Sequence, residues 1–313
     1  MVLDVNNYKG RVFFPFTFRY MSRILIFVFS VLVLTSCQTK KYNYINYYNK
    51  VNETDSILRY KKDTLEAIAL YKNIFKKYPP KQSLWIDEYE TYIKLSDKFN
   101  KDFGGKKSLY LLIPLVAPNW KYKKQDKEFF VLYKKYGIDS LAVEDEINNW
   151  KKGLNKKLVD SFSIAMIRDQ ENGRSGGVSI KNDKKNAQLL IWTINNYGYP
   201  SLQKIGLWGN NGIFMPTSTI LHHMAGSKEF PYFKEKVIEF IKNGDCPPGD
   251  YASMIDRNNN LNQKESEYGY ETMFHVQPLN NKLDTIKVNQ NRKKIGLPSV
   301  KHFQKLQSDY FKG

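Results

Sequence analysis

The chain has 313 residues, a formal net charge of +18 and 15% aromatic side chains. That length allows two modest domains or one large one, and the aromatic content excludes a chain disordered throughout. Two cysteines, Cys37 and Cys246, leave no disulfide framework and no cysteine-based zinc site once Cys37 is otherwise committed.

Lysine dominates the basic residues, with 41 Lys against 8 Arg, so part of the charge reflects a compositional bias. Residues 1–36 hold four basic side chains and one acidic one, which leaves 45 basic and 30 acidic side chains, or +15, on the rest of the chain. Such a balance favours anionic surfaces.

The first 20 residues read as an extension upstream of the natural start at Met21. Arg23 then precedes an apolar or small stretch at residues 24–34. Eleven residues are too few to span a bilayer as a helix, but they suit the apolar core of a signal peptide. The stretch ends in Leu34-Thr35-Ser36-Cys37, the small-residue pattern at which a bacterial lipoprotein is cleaved and its cysteine thiol accepts diacylglycerol. Residues 21–36 are therefore expected to be a lipoprotein signal peptide, with Cys37 as the lipidation site. No aspartate follows the cysteine, so the expected address is the cell envelope, at the outer membrane facing the periplasm. Behind an export signal, the expected partners are the membrane, through the N-terminal lipid, and a protein or anionic envelope component; nucleic acid is not expected.

Residues 37–55 are polar, rich in Tyr and Asn, and read as a tether. From Ser56 the pattern turns helical. Ala67, Tyr71, Ile74 and Pro79 are spaced like the second helix of a tetratricopeptide repeat and its closing proline, and Trp85 and Tyr92 like the aromatics of the next first helix. The segment 56–99 resembles about one and a half such repeats, although Glu88-Tyr89 stand where the repeat carries Leu-Gly. An ordinary amphipathic helix pair fits the same residues. Gly104-Gly105 interrupts the pattern, and residues 108–116 form an apolar core segment containing Pro114. The region 56–138 is expected to be helical and tetratricopeptide-like.

A second, multihelical domain is expected over 139–313. Helical periodicity runs from Ser140 to about Arg174 with a break at Gly153, which puts Gln170 and Arg174 four apart on one face. Further helices are expected over 183–197, 217–224, 229–243 and 249–255. Gly198-Tyr199-Pro200 closes the first of these. Residues 268–276 alternate like a strand, and 283–288 are expected to pair with them in one small β-hairpin. The expected fold class is thus mainly α, with tetratricopeptide-like helix pairs followed by a multihelical domain carrying one hairpin.

The ordered set Asp169-Gln170-x3-Arg174, Gly198-Tyr199-Pro200, His223, Asp256-Arg257, Tyr268-Gly269 and Arg292-x3-Gly296-Leu297 resembles the bacterial domain-of-unknown-function family 6624 over residues 140–310. The chain departs from that pattern at Tyr199, where the family carries Trp, and at Ser266 and Glu271, where it favours Gln. The resemblance implies a domain and leaves its activity open.

Five arginines remain after Cys37, and three of them, Arg174, Arg257 and Arg292, lie on these motifs. In a chain that uses lysine so freely, they mark positions that need a planar, permanently charged fork. They are expected either to pair with acids or to bind an anionic ligand, alongside Gln170 and Tyr268. His223 is the candidate acid or base, oriented by Asp169 or Asp256. The structural alternatives are buried Arg–Asp locks and a helix-end histidine. No His-x3-His or Cys-x2-Cys spacing is present, so no metal and no cofactor are expected, and no Gly-x-Ser-x-Gly elbow or phosphate-cradling loop occurs. The leading reading is a periplasmic binding or scaffold lipoprotein. The alternative is an envelope enzyme using His223 with Asp169, Asp256 and Arg257. Convergence of these residues in one open cleft discriminates between the two.

Overall fold

The first helix begins where a tether is expected. Tyr44, Tyr47, Tyr48 and Val51 fall at helical spacing, and all four are buried. They form the inner stripe of α1 (Tyr44–Ser56), which is capped by Asn43 accepting from the Ile45 N–H. The expected tether over 37–55 is therefore corrected from Tyr44 onward: this stretch is a packed helix. Tyrosine and asparagine made it look polar, but the rings carry enough apolar surface to be core.

The computed structural model describes residues 42–81, 86–174, 176–270 and 284–311. A turn of π-helix (Ile57–Lys61) follows α1 and leads to α2 (Thr64–Lys77) and α3 (Glu88–Lys98). Ala67, Tyr71 and Ile74 lie on the buried face of α2, and Phe75 packs edge-on to Tyr89, with ring centroids 4.8 Å apart. The expected helix pair is present; Trp85 lies outside the described residues.

Helices α4 (Gly105–Val116), α5 (Trp120–Lys123), α6 (Lys127–Lys135) and α7 (Ser140–Lys152) follow. Next come α8 (Lys156–Asp169), α9 (Gly176–Tyr197), α10 (Leu202–Ile205), α11 (Thr217–His223) and α12 (Phe230–Asn243). The chain closes with α13 (Pro248–Leu261), α14 (Thr285–Ile295) and α15 (Val300–Tyr310). From Tyr42 onward the described residues gather into one compact unit, with an apolar core running from α1 to α15. Helix α1 is tied across to the C-terminal part: Asn49 and Asn52 donate to the carbonyls of Lys293 and Gly296 at 2.9 Å each.

Mainly α is therefore the observed class. The hairpin is not. Among the described residues there is no strand, only one isolated bridge between Trp208 and Phe214. The second expected strand is the start of α14, because Asp284 caps the N–H groups of Ile286 and Lys287, and Val288, Arg292 and Ile295 form a helical buried stripe. In the first, Gly269 turns the backbone at φ +61° between Tyr268 and Tyr270, so the extended conformation of a strand is broken there. Residues 271–283 lie outside the described residues. Two other bounds shift: α9 begins seven residues before Asp183, and α13 runs past Ile255, so that Asp256 and Arg257 lie inside it.

Candidate functional site

Helix α8 stops at Asp169, whose side chain is fully buried. The chain then makes an unusual turn. Asn172, Gly173 and Arg174 have φ of +51°, +59° and +61°. A left-handed conformation is strained for an arginine. Its compensation is electrostatic. Arg174 doubles back, and its Nη1 donates to the Asp169 carbonyl at 3.0 Å and to Asp169 Oδ1 at 2.8 Å. Its Nη2 meets both carboxylate oxygens of Asp183, on α9, at 3.0 and 2.9 Å. Gln170 and Arg174 do not share a helical face, because the helix has ended, but both reach Asp169: Gln170 Nε2 donates to Oδ2 at 2.5 Å.

His223, the last residue of α11, completes the cluster, with Nδ1 2.9 Å from Asp169 Oδ1. Burial pushes the Asp169 carboxyl up, but the hydrogen bond and charge of His223, followed by Arg174 and Gln170, outweigh it and hold the carboxyl below its usual range. An ionised carboxylate only accepts hydrogen bonds, so the proton of this pair sits on Nδ1. In the neutral ring, Nε2 then carries a lone pair. That nitrogen has no hydrogen-bond partner among the described residues, and His223 lines an open cleft.

His222 is held differently. Its Nε2 lies 3.0 Å from Arg257 Nη1 and its Nδ1 2.7 Å from Ser253 Oγ. A guanidinium only donates, so Nε2 accepts and Nδ1 carries the hydrogen. The two rings lie 5.8 Å apart at 64°. Adjacent on one helix, they divide the work: His222 fastens α11 to α13, while His223 faces the cleft.

The cleft has a volume of about 310 Å³, within the usual size of ligand sites. Arg174, Lys184, Lys228 and Arg257 line it, against the carboxylates of Asp183 and Glu229, so its lining is net cationic. Ile180 and Leu261, both largely exposed, form an apolar rim. Ligand atoms of Asp169, Asp183 and His223 lie within 4.8 Å of one another, a spacing that can hold a cation. Arg174 already bridges both carboxylates, however, so a metal would have to displace a guanidinium.

Asp256 does not join this group. It sits beside Arg257 in α13 but turns the other way, and its buried carboxylate accepts from the N–H groups of Glu267 (2.8 Å), Tyr268 (2.9 Å) and Tyr270 (2.6 Å) and from Ser266 Oγ (2.6 Å). It folds the 266–270 loop, which corrects its expected role as orienter of His223. Arg292 is also elsewhere and wholly buried. It donates to the carbonyls of Tyr268 and Pro298 and lies over the Phe303 ring, and among the described residues it contacts no carboxylate. Burial pushes its guanidinium down to about 10. Arg292 and Tyr268 thus brace the Asp256 loop, away from the cleft at His223.

Sequence reasoning did not single out Asp183, Asn186 or Ser227. Asn186 accepts from Arg168 and donates to Asp169 Oδ1 at 3.4 Å. Asp183 lies one helical turn before it on α9, and this spacing of polar residues ahead of the buried Ala187, Leu190 and Ile194 is the signal that could have found both. Cys246 is buried, and burial followed by Asp250 pushes its thiol up, away from nucleophilic use.

No family model, curated protein or solved structure matches the chain.

Proposed function

We propose that this chain is a lipid-anchored bacterial envelope protein whose folded body binds an anionic ligand in the cleft and acts on it by general acid–base chemistry at His223. The observation that carries the reading is the His223–Asp169 pair: one ring nitrogen is fixed by a buried carboxylate, and the other is left to a cationic cleft. A carboxylate that orients a histidine and stabilises its charged form is the arrangement acid–base catalysis requires. Of the five residues whose convergence separates enzyme from scaffold, Asp169, Arg174, His223 and Arg257 meet here and Asp256 does not. That favours the enzyme over the scaffold and removes Asp256 from the site.

The anchor rests on the charge, apolar run and Leu34-Thr35-Ser36-Cys37 order of the sequence, and an outer-membrane, periplasm-facing address is part of the proposal. Among the described residues no helix is long and apolar enough to cross a membrane. Membership of the domain-of-unknown-function family 6624 is proposed on the motifs that meet at Asp169. The α2–α3 pair, read as tetratricopeptide-like, serves packing.

The test is a turnover screen of the full chain in detergent against aryl esters of acetate, succinate and phosphate. Replacing His223 by Gln should lower the rate of any accepted ester by about 10²–10⁴, with the charged esters preferred over acetate. Equal rates for the two proteins would contradict the proposal.

A further inference from the structure

Between α11 and α12 the chain turns through Met224–Gly226, and the Ser227 N–H donates back to the Met224 carbonyl at 3.0 Å. Ser227 stands four residues after His223 and lines the same cleft. Its Oγ is shielded from solvent and has no hydrogen-bond partner among the described residues. We propose that Ser227 is the nucleophile of a Ser227–His223–Asp169 triad, and that the protein cleaves an ester or amide of a carboxylic acid through an acyl-Ser227 intermediate. The inference rests on the acid–base reading of His223 and adds to it a covalent step and a bond class.

Three features carry it. A shielded hydroxyl without a partner costs about 1–3 kcal/mol, and such a group asks for a reason. The nucleophilic role supplies that reason: among the described residues no hydrogen bond holds the Ser227 rotamer, and the residue shares the cleft with the open Nε2 of His223. The two are not hydrogen-bonded in this structure, and catalytic bonds of this kind commonly tighten only when substrate is present.

The second feature is the base itself. Asp169 fixes Nδ1 and leaves Nε2 as the proton acceptor, the polarity a serine nucleophile needs.

The third is a place for developing negative charge. Ser227 lies directly ahead of α12, a helix of 14 residues. The backbone N–H groups of Lys228 and Glu229, which immediately follow Ser227, make no hydrogen bond among the described residues. Two open N–H groups beside a nucleophile, at the positive end of a helix, are the groups assigned here to the developing oxyanion. The N–H of the residue after the nucleophile serves this purpose in other serine hydrolases.

The chemistry balances without a co-reactant other than water. Ser227 Oγ attacks the carbonyl carbon as its proton passes to His223 Nε2, and the carbonyl oxygen becomes an oxyanion held by the Lys228 and Glu229 N–H groups. The intermediate collapses, the C–O or C–N bond breaks, and the leaving alcohol or amine takes the proton from Nε2. Water then attacks the acyl carbon, gives one proton to Nε2, and releases the carboxylic acid as the proton returns to Ser227 Oγ.

The test is reaction of the full chain in detergent with a fluorophosphonate probe, read by intact mass and peptide mapping. A single adduct on Ser227 is expected, absent from Ser227→Ala and formed at least about 100-fold more slowly in His223→Gln. Ser227→Ala deletes a shielded oxygen that bonds to nothing, so its melting temperature should not fall. Absence of an adduct on the wild type, or an adduct that persists in Ser227→Ala, overturns the nucleophile. Aryl-ester turnover that survives Ser227→Ala but is lost in His223→Gln overturns the triad and leaves the acid–base reading intact. Turnover that survives in both variants removes both.

Discussion

The Nδ1 atom of His223 lies 2.9 Å from Oδ1 of Asp169, the same oxygen that receives Arg174 Nη1 at 2.8 Å. One buried carboxylate therefore orients a cleft-facing histidine and anchors the arginine that follows a left-handed turn. Neutralising it should undo both.

Asp169→Asn keeps the shape but leaves Arg174 and His223 without their shared anion. A loss of about 3 kcal/mol at pH 7 is expected, as for removal of one partner from a buried ion pair. The sign of the pH dependence follows from the lowered carboxyl. Stability from Asp169 is fully present above the unfolded value, near 3.8, and is lost as pH falls through the lower folded value. Urea unfolding at pH 7, 5 and 3 should show the gap between wild type and variant holding at 5 and narrowing at 3. A gap that does not change with pH would contradict the assignment.

Arg174→Lys tests the fork. Lysine keeps the charge but cannot span Asp169 and Asp183 together, and it inherits the positive φ of the turn. A destabilisation of roughly 1–3 kcal/mol is expected, read as a lowered thermal midpoint. Parity with the wild type would make this a surface charge like the lysines around it.

Asp250 behaves in the opposite sense to Asp169. Burial pushes its carboxyl up to about 6, against the lowering effect of the Tyr199 hydroxyl that donates to it at 2.8 Å. The folded state thus holds the proton more tightly than the unfolded one, and stability falls as pH rises from about 4 to about 6. Asp250→Asn should stabilise the protein at pH 7 by about 2–3 kcal/mol and give no gain at pH 3.5. Denaturation at the two pH values measures this, and no gain at pH 7 would refute it.

Docking of α1 depends on Gly244. A Cβ there would stand within 2.6–2.8 Å of three Tyr44 ring atoms, at a φ of +74°. Gly244→Ala should cost about 1–3 kcal/mol and increase amide exchange along α1. Unchanged exchange would mean that the helix is held by its other contacts alone.

The proposed anchor is tested by Cys37→Ser, which removes the thiol proposed to accept the lipid. Cells expressing it with a labelled fatty acid should yield an unprocessed, unlabelled precursor. Label on the Ser variant would disprove the anchor.

Much of the helical layout was legible because its punctuation is local. Gly198 and Gly244 end helices at φ of +73° and +74°, where a residue without Cβ is preferred, and Pro200 forbids continuation. The tether was misread because Tyr44, Tyr47 and Tyr48 count as polar by composition while packing as core. The hairpin is not found where Tyr268 and Tyr270 flank a turn at Gly269 that Asp256 holds by accepting their N–H groups, a contact spanning up to fourteen residues that no local pattern encodes. The site divides in the same way. Asp169, Gln170, Arg174 and His223 were found as ordered motifs, whereas Asp256 and Arg257 are neighbours whose side chains leave a helix about 100° apart, so adjacency in sequence did not place both in the cleft. Ser227 carries no motif. Its interest comes from an unmet hydroxyl that only coordinates reveal.

The central claim is that His223 keeps its proton on Nδ1 for Asp169 and offers Nε2 to the cleft. Long-range ¹H–¹⁵N correlation spectra of the histidine-labelled protein at alkaline pH read this directly. Nδ1–H tautomers are expected for both His222 and His223, with the His223 Nε2 signal shifting when hydrogen phosphate, which can donate to that lone pair, is added, and the His223 preference lost in Asp169→Asn. An Nε2–H tautomer at His223, unaltered in Asp169→Asn, would contradict it.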